Sequence, residues 1–294
     1  MKKTILLLAT ILAFTGCKDA KEDVKADVKE TQIEAAKTFE DVGVKLYALD
    51  GGTVVANQLE IFSQGDMYHG ESKVFADPYY IIEHKNGRLL WDAGLAENLI
   101  GKEPVTTPNG AFTVSRKASV VEQLKLLNLT PKDFDFIALS HTHFDHTGSA
   151  SEFAEATWLV QETEHHYITS DEQKKGDNYM AIAALTNVRK LNGDHDVFGD
   201  GTVVIKSMPG HTPGHQVLFL KLENAGNLLL TGDLYHFQEN RDNRGVPSFN
   251  YDVDETLNSM LKFETYAKNK NADVYIQHSP DDFNRLPKYP KYLD

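Results

Sequence analysis

The chain has one cysteine, Cys17, in 294 residues. It forms no internal disulfide, so its stability has to come from a buried core, which a chain of this length can supply. Long apolar runs are missing too. The best of them, Thr4 to Phe14, falls well short of the ~20 residues that span a bilayer as a permanent helix. Dense Lys/Arg clusters are absent, and the net charge is −13 with a pI near 5.4. Phosphate backbones would be repelled, which argues against a nucleic-acid substrate. No segment repeats at solenoid periods. With 41% hydrophobic and 25% charged residues, what remains is an ordinary globular composition.

Residues 1–40 read as an address followed by a tether. Met1-Lys2-Lys3 is a positive start, Thr4 to Phe14 an apolar stretch, and Thr15-Gly16-Cys17 small residues ending at the sole thiol. The pattern over 1–17 resembles a bacterial lipoprotein signal, in which the cysteine is lipidated and begins the mature chain. Phe14 stands where that motif usually has leucine, which keeps ordinary cleavage and release as the alternative. Either route exports the protein, to the periplasm, the outer membrane or the medium. Over 18–40 the chain is rich in Lys, Asp, Glu, Ala and Val and has no Gly or Pro, the composition of a solvated tether. One catalytic domain is expected over 41–294.

Within it, strands are expected at Val44–Leu49, ended by Asp50-Gly51-Gly52, and at Tyr79–Glu83 and Arg88–Trp91 about an Asn86-Gly87 hairpin. Further strands are expected at Phe134–Leu139, Trp158–Val160, Val203–Ser207, Val217–Leu222, Leu228–Leu230 and Val274–Gln277. Helical patterns cover Ser119–Leu127, Ser151–Ala156, Glu162–Tyr167, Tyr179–Arg189 and Glu255–Ala267, the last with Leu257, Leu261 and Phe263 as its apolar residues. Lys102–Thr113 reads as a loop. Strands, then helix, then strands, then helix make an α/β (α+β) chain of two sheets covered by helices outside.

The richest stretch is Ser140 to Ser149, where His141, His143, Asp145 and His146 fall within six residues of a chain holding 12 histidines in all. In extended backbone, side chains two apart point the same way, so His141, His143 and Asp145 can converge. His146 breaks that period and points elsewhere, as a ligand to a second ion would. Imidazole nitrogen and carboxylate oxygen are the ligands zinc and related ions take when a site must stay open for chemistry. His211, in a Pro-Gly turn, and Asp233 and His278 each follow an expected strand. Together these seven residues suffice for two ions sharing one carboxylate.

His141-Thr-His143-Phe-Asp145-His146, then His211, Asp233 and His278, resemble the metallo-β-lactamase superfamily. The Pro209-to-His215 turn and Leu89-Leu90-Trp91-Asp92-Ala93-Gly94 are similar to its N-acyl-homoserine lactone lactonase branch, including exported quorum-quenching members. The likeness covers roughly Val44 to Asp281. It implies an αββα sandwich with the site at one edge of the sheets. One zinc would be held by His141, His143 and His211, and the other by Asp145, His146 and His278, with Asp233 bridging. Asp92 would support a ligand histidine, as metal-bound imidazoles usually require.

The implied reaction opens the lactone of an N-acyl homoserine lactone, a small-molecule substrate, giving the N-acyl homoserine. Asp145 would take a proton from the attacking water and pass it to the departing ring oxygen. Related lactonases often carry a tyrosine three residues after the bridging aspartate; here that position is His236, preceded by Tyr235. Either could reach the lactone carbonyl, with His236 favoured because Tyr235 would need a shift in register. Met67, Tyr68, Phe112, Phe237 and Phe249 are candidates for an acyl-chain wall or for loop packing. His69, His84, His165, His166, His195 and His215 are expected at the surface or behind the site, His215 orienting rather than binding.

Competing readings are another hydrolase of the same fold, either a glyoxalase II-like thioesterase or a β-lactamase, an oxygen-using iron enzyme, and an exported lipoprotein that binds metal without turnover. A bridging Asp233 disfavours the common β-lactamases. Lys288 and Lys291 are thin anchors for a glutathione conjugate, and seven ligands exceed what one iron needs.

Overall fold

The computed structural model describes residues 43–294. The signal and tether assigned to 1–17 and 18–40 lie outside the described residues.

The first sheet is built from β1 (Lys45–Ala56), β2 (Lys73–His84), β3 (Gly87–Trp91), β4 (Val105–Thr106), β5 (Phe112–Ser115), β6 (Phe136–Ala138), β7 (Thr157–Gln161) and β8 (Val188–Leu191). Its order is β4-β5-β1-β2-β3-β6-β7-β8. The second contains β9 (His195–Asp196), β10 (Val203–Ser207), β11 (Gln216–Lys221), β12 (Asn227–Leu230) and β13 (Asp273–Tyr275), in the order β13-β12-β11-β10-β9. Tyr80, Leu89, Trp91 and Leu159 of one sheet pack against Ile205, Leu218, Leu220 and Leu230 of the other. Helices cover the outer faces. Val120 and Leu124 of α1 (Val120–Leu124), Ile168 of α2 (Glu162–Ile168) and Ile182 of α3 (Asp177–Ile182) close one side. The short α4 (Gln238–Asn243) follows, and Met260, Phe263 and Ala267 of α5 (Val253–Lys270) then seal Phe219 and Leu229 on the other. The chain closes with α6 (Pro280–Arg285). This is the expected αββα sandwich.

Several local expectations fail for physical reasons. Asp50-Gly51-Gly52 does not end β1. It forms a bulge opposite the Asp77-Pro78 step, and β1 continues to Ala56. A Cβ on Gly51 would sit 2.5 Å from the Asp77 carbonyl oxygen and 2.9 Å from Gly94 Cα, so glycine serves close approach there rather than a turn. The stretch expected as one helix over Tyr179–Arg189 is α3 followed by β8, and Ser151–Ala156 holds only a short 3-10 turn at Ala150–Phe153. The loop over Lys102–Thr113 contains β4 and the start of β5. α5 begins at an Asp252 cap that accepts from Glu255 N. Its buried face is Thr256, Ser259, Met260, Phe263 and Ala267, and Leu257 and Leu261 point to solvent.

β3 runs parallel to β6, and β12 parallel to β13. The C-terminal ends of the strands that carry Asp92, His141, Asp233 and His278 therefore open in matched pairs, where ligand-bearing loops can meet.

Candidate metal centre

Beyond the end of β6, His141 Nε2 and His143 Nδ1 lie 2.8 Å apart, and His211 Nε2 lies 3.1 Å from the same His143 atom. Three nitrogens around one tetrahedral zinc, at Zn–N of 2.0–2.1 Å, would stand about 3.3 Å from one another. Asp233 faces both halves of the site. Its Oδ2 is 3.6 Å from His141 Nε2 and 3.4 Å from His211 Nε2, while its Oδ1 is 3.2 Å from His146 Nε2 and 3.0 Å from His278 Nε2. Asp145 lies 3.8 Å from both His146 Nε2 and His278 Nε2. Donor atoms thus gather as His141, His143, His211 and Asp233, and as Asp145, His146 and His278. Simple alternation had put Asp145 with His141 and His143; the turn after His143 swings it to the second group.

The chemistry of the second group fits a cation. His146 Nε2, His278 Nε2 and Asp233 Oδ1 are buried and make no hydrogen bond, although the two nitrogens stand 3.2 and 3.0 Å from that oxygen. They converge on common space without aligning as donor and acceptor. Unmet buried polar atoms of this kind cost about 1–3 kcal/mol each, and a divalent ion would satisfy all three.

Four rings are held from behind. His278 Nδ1 donates to the Ala76 carbonyl at 2.9 Å, which leaves Nε2 free as a ligand atom. His146 Nδ1 is 3.1 Å from Asp92 Oδ2, His211 Nδ1 3.0 Å from Asn250 Oδ1, and His141 Nδ1 3.1 Å from Ser140 Oγ. Asp92 is fully buried, adopts a positive φ of 60°, and also accepts from Ser140 N and Gln277 Nε2, each at 2.6 Å. His215, also buried, donates from Nδ1 to the Met208 carbonyl and accepts the Asp233 N–H at Nε2. Both of its nitrogens are thus engaged, one of them with the backbone of Asp233.

Electrostatics separates the two halves. Burial lowers His141, His143 and His211 below the ordinary imidazole range. Burial works against His146 and His278 as well, but Asp233 and Asp145 outweigh it, with Asp92 helping at His146. His146 is raised, and His278 is carried up to about 9. Asp77, which no sequence signal singled out, is a buried carboxyl with neither oxygen hydrogen-bonded. Burial first, and Asp145 second, push it up to about 8.

Above the cluster lies an apolar cavity of about 150 Å³, lined by Val54, Phe62, Phe75, Phe112, Phe144 and Phe249 with His143, Asp145, Asp233, His236 and His278 on its floor. Of the five residues expected to wall it, Phe112 and Phe249 do. Phe237 is instead buried behind, stacked on Phe75 at 5.8 Å and edge-on to Tyr68, and Met67 does not line the cavity. His236 is buried, with Nε2 3.1 Å from Asp233 Oδ2. Tyr235 is not at the site. Its hydroxyl donates to Glu264 Oε1 at 3.0 Å and its ring packs on Phe263 under α5. The backbone at Tyr235 is extended, so neighbouring side chains point to opposite sides. His84 is also unlike the expectation, being buried against Phe198 and paired with Asp200, well away from these loops in the sheet.

Residues 74–278 match the model of the metallo-beta-lactamase superfamily. The chain belongs to that superfamily. Relatives within it include the N-acyl homoserine lactonase AttM of Rhizobium radiobacter, 32% identical over 85% of this chain and 98% of its own length. The N-acyl homoserine lactonase AiiA of Bacillus thuringiensis subsp. kurstaki is 29% identical over 73% and 85% respectively. A solved N-acyl homoserine lactone hydrolase, with the product N-hexanoyl-L-homoserine at its catalytic metal centre, superposes with a TM-score of 0.74 at 25% identity. That match covers 86% of this chain and all of the other. AidC, a dizinc quorum-quenching lactonase, shares the fold at a TM-score of 0.62 and 17% identity, over 87% of this chain and 92% of its own. Glu164, Gln277 and Asn250, which brace this superfamily member's site, gave no signal in the sequence, because a single acid or amide on a helix, past a strand end or in a loop reads as solvated.

Proposed function

We propose that this chain is a zinc-dependent lactonase that opens N-acyl-homoserine lactones to N-acyl homoserines, quenching the signals that bacteria use to sense density. The observation that carries this reading is the placement of Asp233 between two donor clusters on the floor of a phenyl-lined cavity. The relatives at about 30% identity, named for this reaction, support it.

His141, His143 and His211 would hold one zinc, and Asp145, His146 and His278 the other, with Asp233 bridging. Bound there, the pair supplies an acidified water at neutral pH and polarises a carbonyl oxygen. Asp145 faces the cavity, so it can take a proton from the attacking water and deliver it to the ring oxygen as the C–O bond breaks. Addition of one water gives a carboxylate, a hydroxyl and a released proton. His236, with its ring in the cavity and Nε2 against Asp233, is placed to donate to the lactone carbonyl. Phe62, Phe75, Phe112, Phe144 and Phe249 offer the acyl chain an apolar wall. The segment over 1–40 makes the protein exported, held to a membrane through a lipidated Cys17 or released.

The test is a substrate panel followed by acid release: a short- and a long-chain homoserine lactone, an S-acyl glutathione and a β-lactam. Turnover of the homoserine lactones above the other two supports the reading. Preferential turnover of the thioester or the β-lactam, or none at all from zinc-loaded protein, overturns it.

A further inference from the structure

Glu164 lies on α2, outside every loop that carries a donor atom, yet it is almost fully buried. Its Oε1 accepts from both Thr142 N (3.0 Å) and Thr142 Oγ1 (2.7 Å), and its Oε2 accepts from Gly214 N (2.9 Å). Those partners are 22 and 50 residues away in sequence. Thr142 separates His141 from His143, and Gly214 sits in the turn between His211 and His215. One carboxylate therefore ties the loop carrying two imidazoles to the turn carrying the third. The close approach is built in: a Cβ on Gly214 would lie 2.5 Å from both Cβ and N of Glu164. Thr163 Oγ1 donates to Pro213 O at 2.9 Å, docking the same helix turn a second time.

We infer that Glu164 is a positioning residue for the His141–His143–His211 half of the metal centre, clamping its two loops together through Thr142 and Gly214. All three donors are neutral, and a buried carboxylate that accepts them holds direction as well as distance. The other half is braced elsewhere, by Asp92 and the Ala76 carbonyl, so the clamp serves one half only. The inference rests on the reading of these residues as metal ligands.

Glu164→Gln tests it. The amide oxygen can keep both Thr142 donors, but the amide NH₂ then faces Gly214 N–H, two donors without an acceptor between them. Zinc affinity is measured by competition with a chromophoric chelator, alongside zinc content after dialysis and the melting temperature of metal-free protein. The expected result is a loss of about tenfold or more at one of two zinc sites, with the second site and the metal-free melting temperature near parent values. In a His211→Ala background the substitution should add nothing, because that half is already broken. Parent affinity at both sites overturns the inference; so does an equal loss at both that tracks a fall in melting temperature. If Glu164→Gln does not fold, Thr142→Val decides, since it removes a single hydroxyl donor. A several-fold loss at one site supports the clamp, and no loss overturns it. Zinc binding is read without substrate, so its outcome is separate from the fate of the lactonase reading.

Discussion

Replacing Asp92 by asparagine removes one acceptor oxygen and adds one donor at the most crowded polar contact beneath the site. Asp92 Oδ1 takes Ser140 N at 2.6 Å, while Oδ2 takes Gln277 Nε2 at 2.6 Å and faces His146 Nδ1 at 3.1 Å. The asparagine oxygen can stay with Ser140 N, which puts its NH₂ against Gln277 and His146. Gln277 can turn its amide, since its Oε1 is buried without a partner, though it then gives up its bond to the Pro78 carbonyl. His146 keeps only the Ser140 hydroxyl, 3.2 Å from Nδ1, as an acceptor, and the new NH₂ favours the opposite arrangement. The ring then accepts at Nδ1 and moves its proton to Nε2, the atom that faces Asp233, and a protonated Nε2 binds no metal. Loss of such a supporting partner costs 10–100-fold in metal affinity, about 1.4–2.7 kcal/mol. The assay is zinc competition on Asp92→Asn at neutral pH, with kcat/KM for a homoserine lactone and the metal-free melting temperature as companions. Zinc affinity and kcat/KM should fall together. Parent zinc affinity in the folded variant would refute the argument that Asp92 sets the tautomer of His146.

Four further outcomes are expected. His236→Ala should lower kcat/KM for lactones while both zincs stay bound; unchanged kinetics removes His236 from the chemistry. Tyr235→Phe should leave kcat/KM untouched and cost about 1 kcal/mol of stability through the lost bond to Glu264. Zinc binding at pH 7–8 should release protons from the half containing His278, whose pKa stands near 9 in the bare chain. Isothermal titration in buffers of different ionisation enthalpy reads this release, which should fade as pH rises above 9. In metal-free protein Asp77, near 8 against an ordinary value of 3.8, stays protonated in the fold where the unfolded chain ionises. The stability this contributes is complete below pH 3.8 and declines as pH rises to about 8. Asp77→Asn should therefore gain stability relative to parent across that window, and chemical unfolding at three pH values checks the sign.

How much of this was legible depends on how locally each feature is encoded. The run from His141 to His146 announces itself because several metal-binding side chains crowd one turn. His211, Asp233 and His278 were linked to it by the strand each one follows and by the family resemblance that the whole set carries. Strand ends were readable from apolar runs, so the two-sheet plan and the meeting of the loops followed. What escaped depended on contacts across the chain. Glu164 looks like one more acid on a short helix until Gly214 and Thr142 come down on it. Leu257 and Leu261 looked like the inner face of α5, but Thr256 and Ser259 face inward because Asn250 Nδ2 and the Pro209 carbonyl meet their hydroxyls there. Tyr235 and His236 are adjacent, and only the extended backbone after Asp233 decides which of them sees the cavity.

The imidazoles at the centre are oriented by a main-chain carbonyl, an amide, a hydroxyl and an acid that all belong to the folded sheets and their loops. A frame braced in this way takes its shape from folding rather than from the ions it would hold. An ion binding there would lose little to the ordering of its ligands and would relieve the unmet buried atoms of His146, His278 and Asp233, so holding metal and holding the fold should reinforce one another.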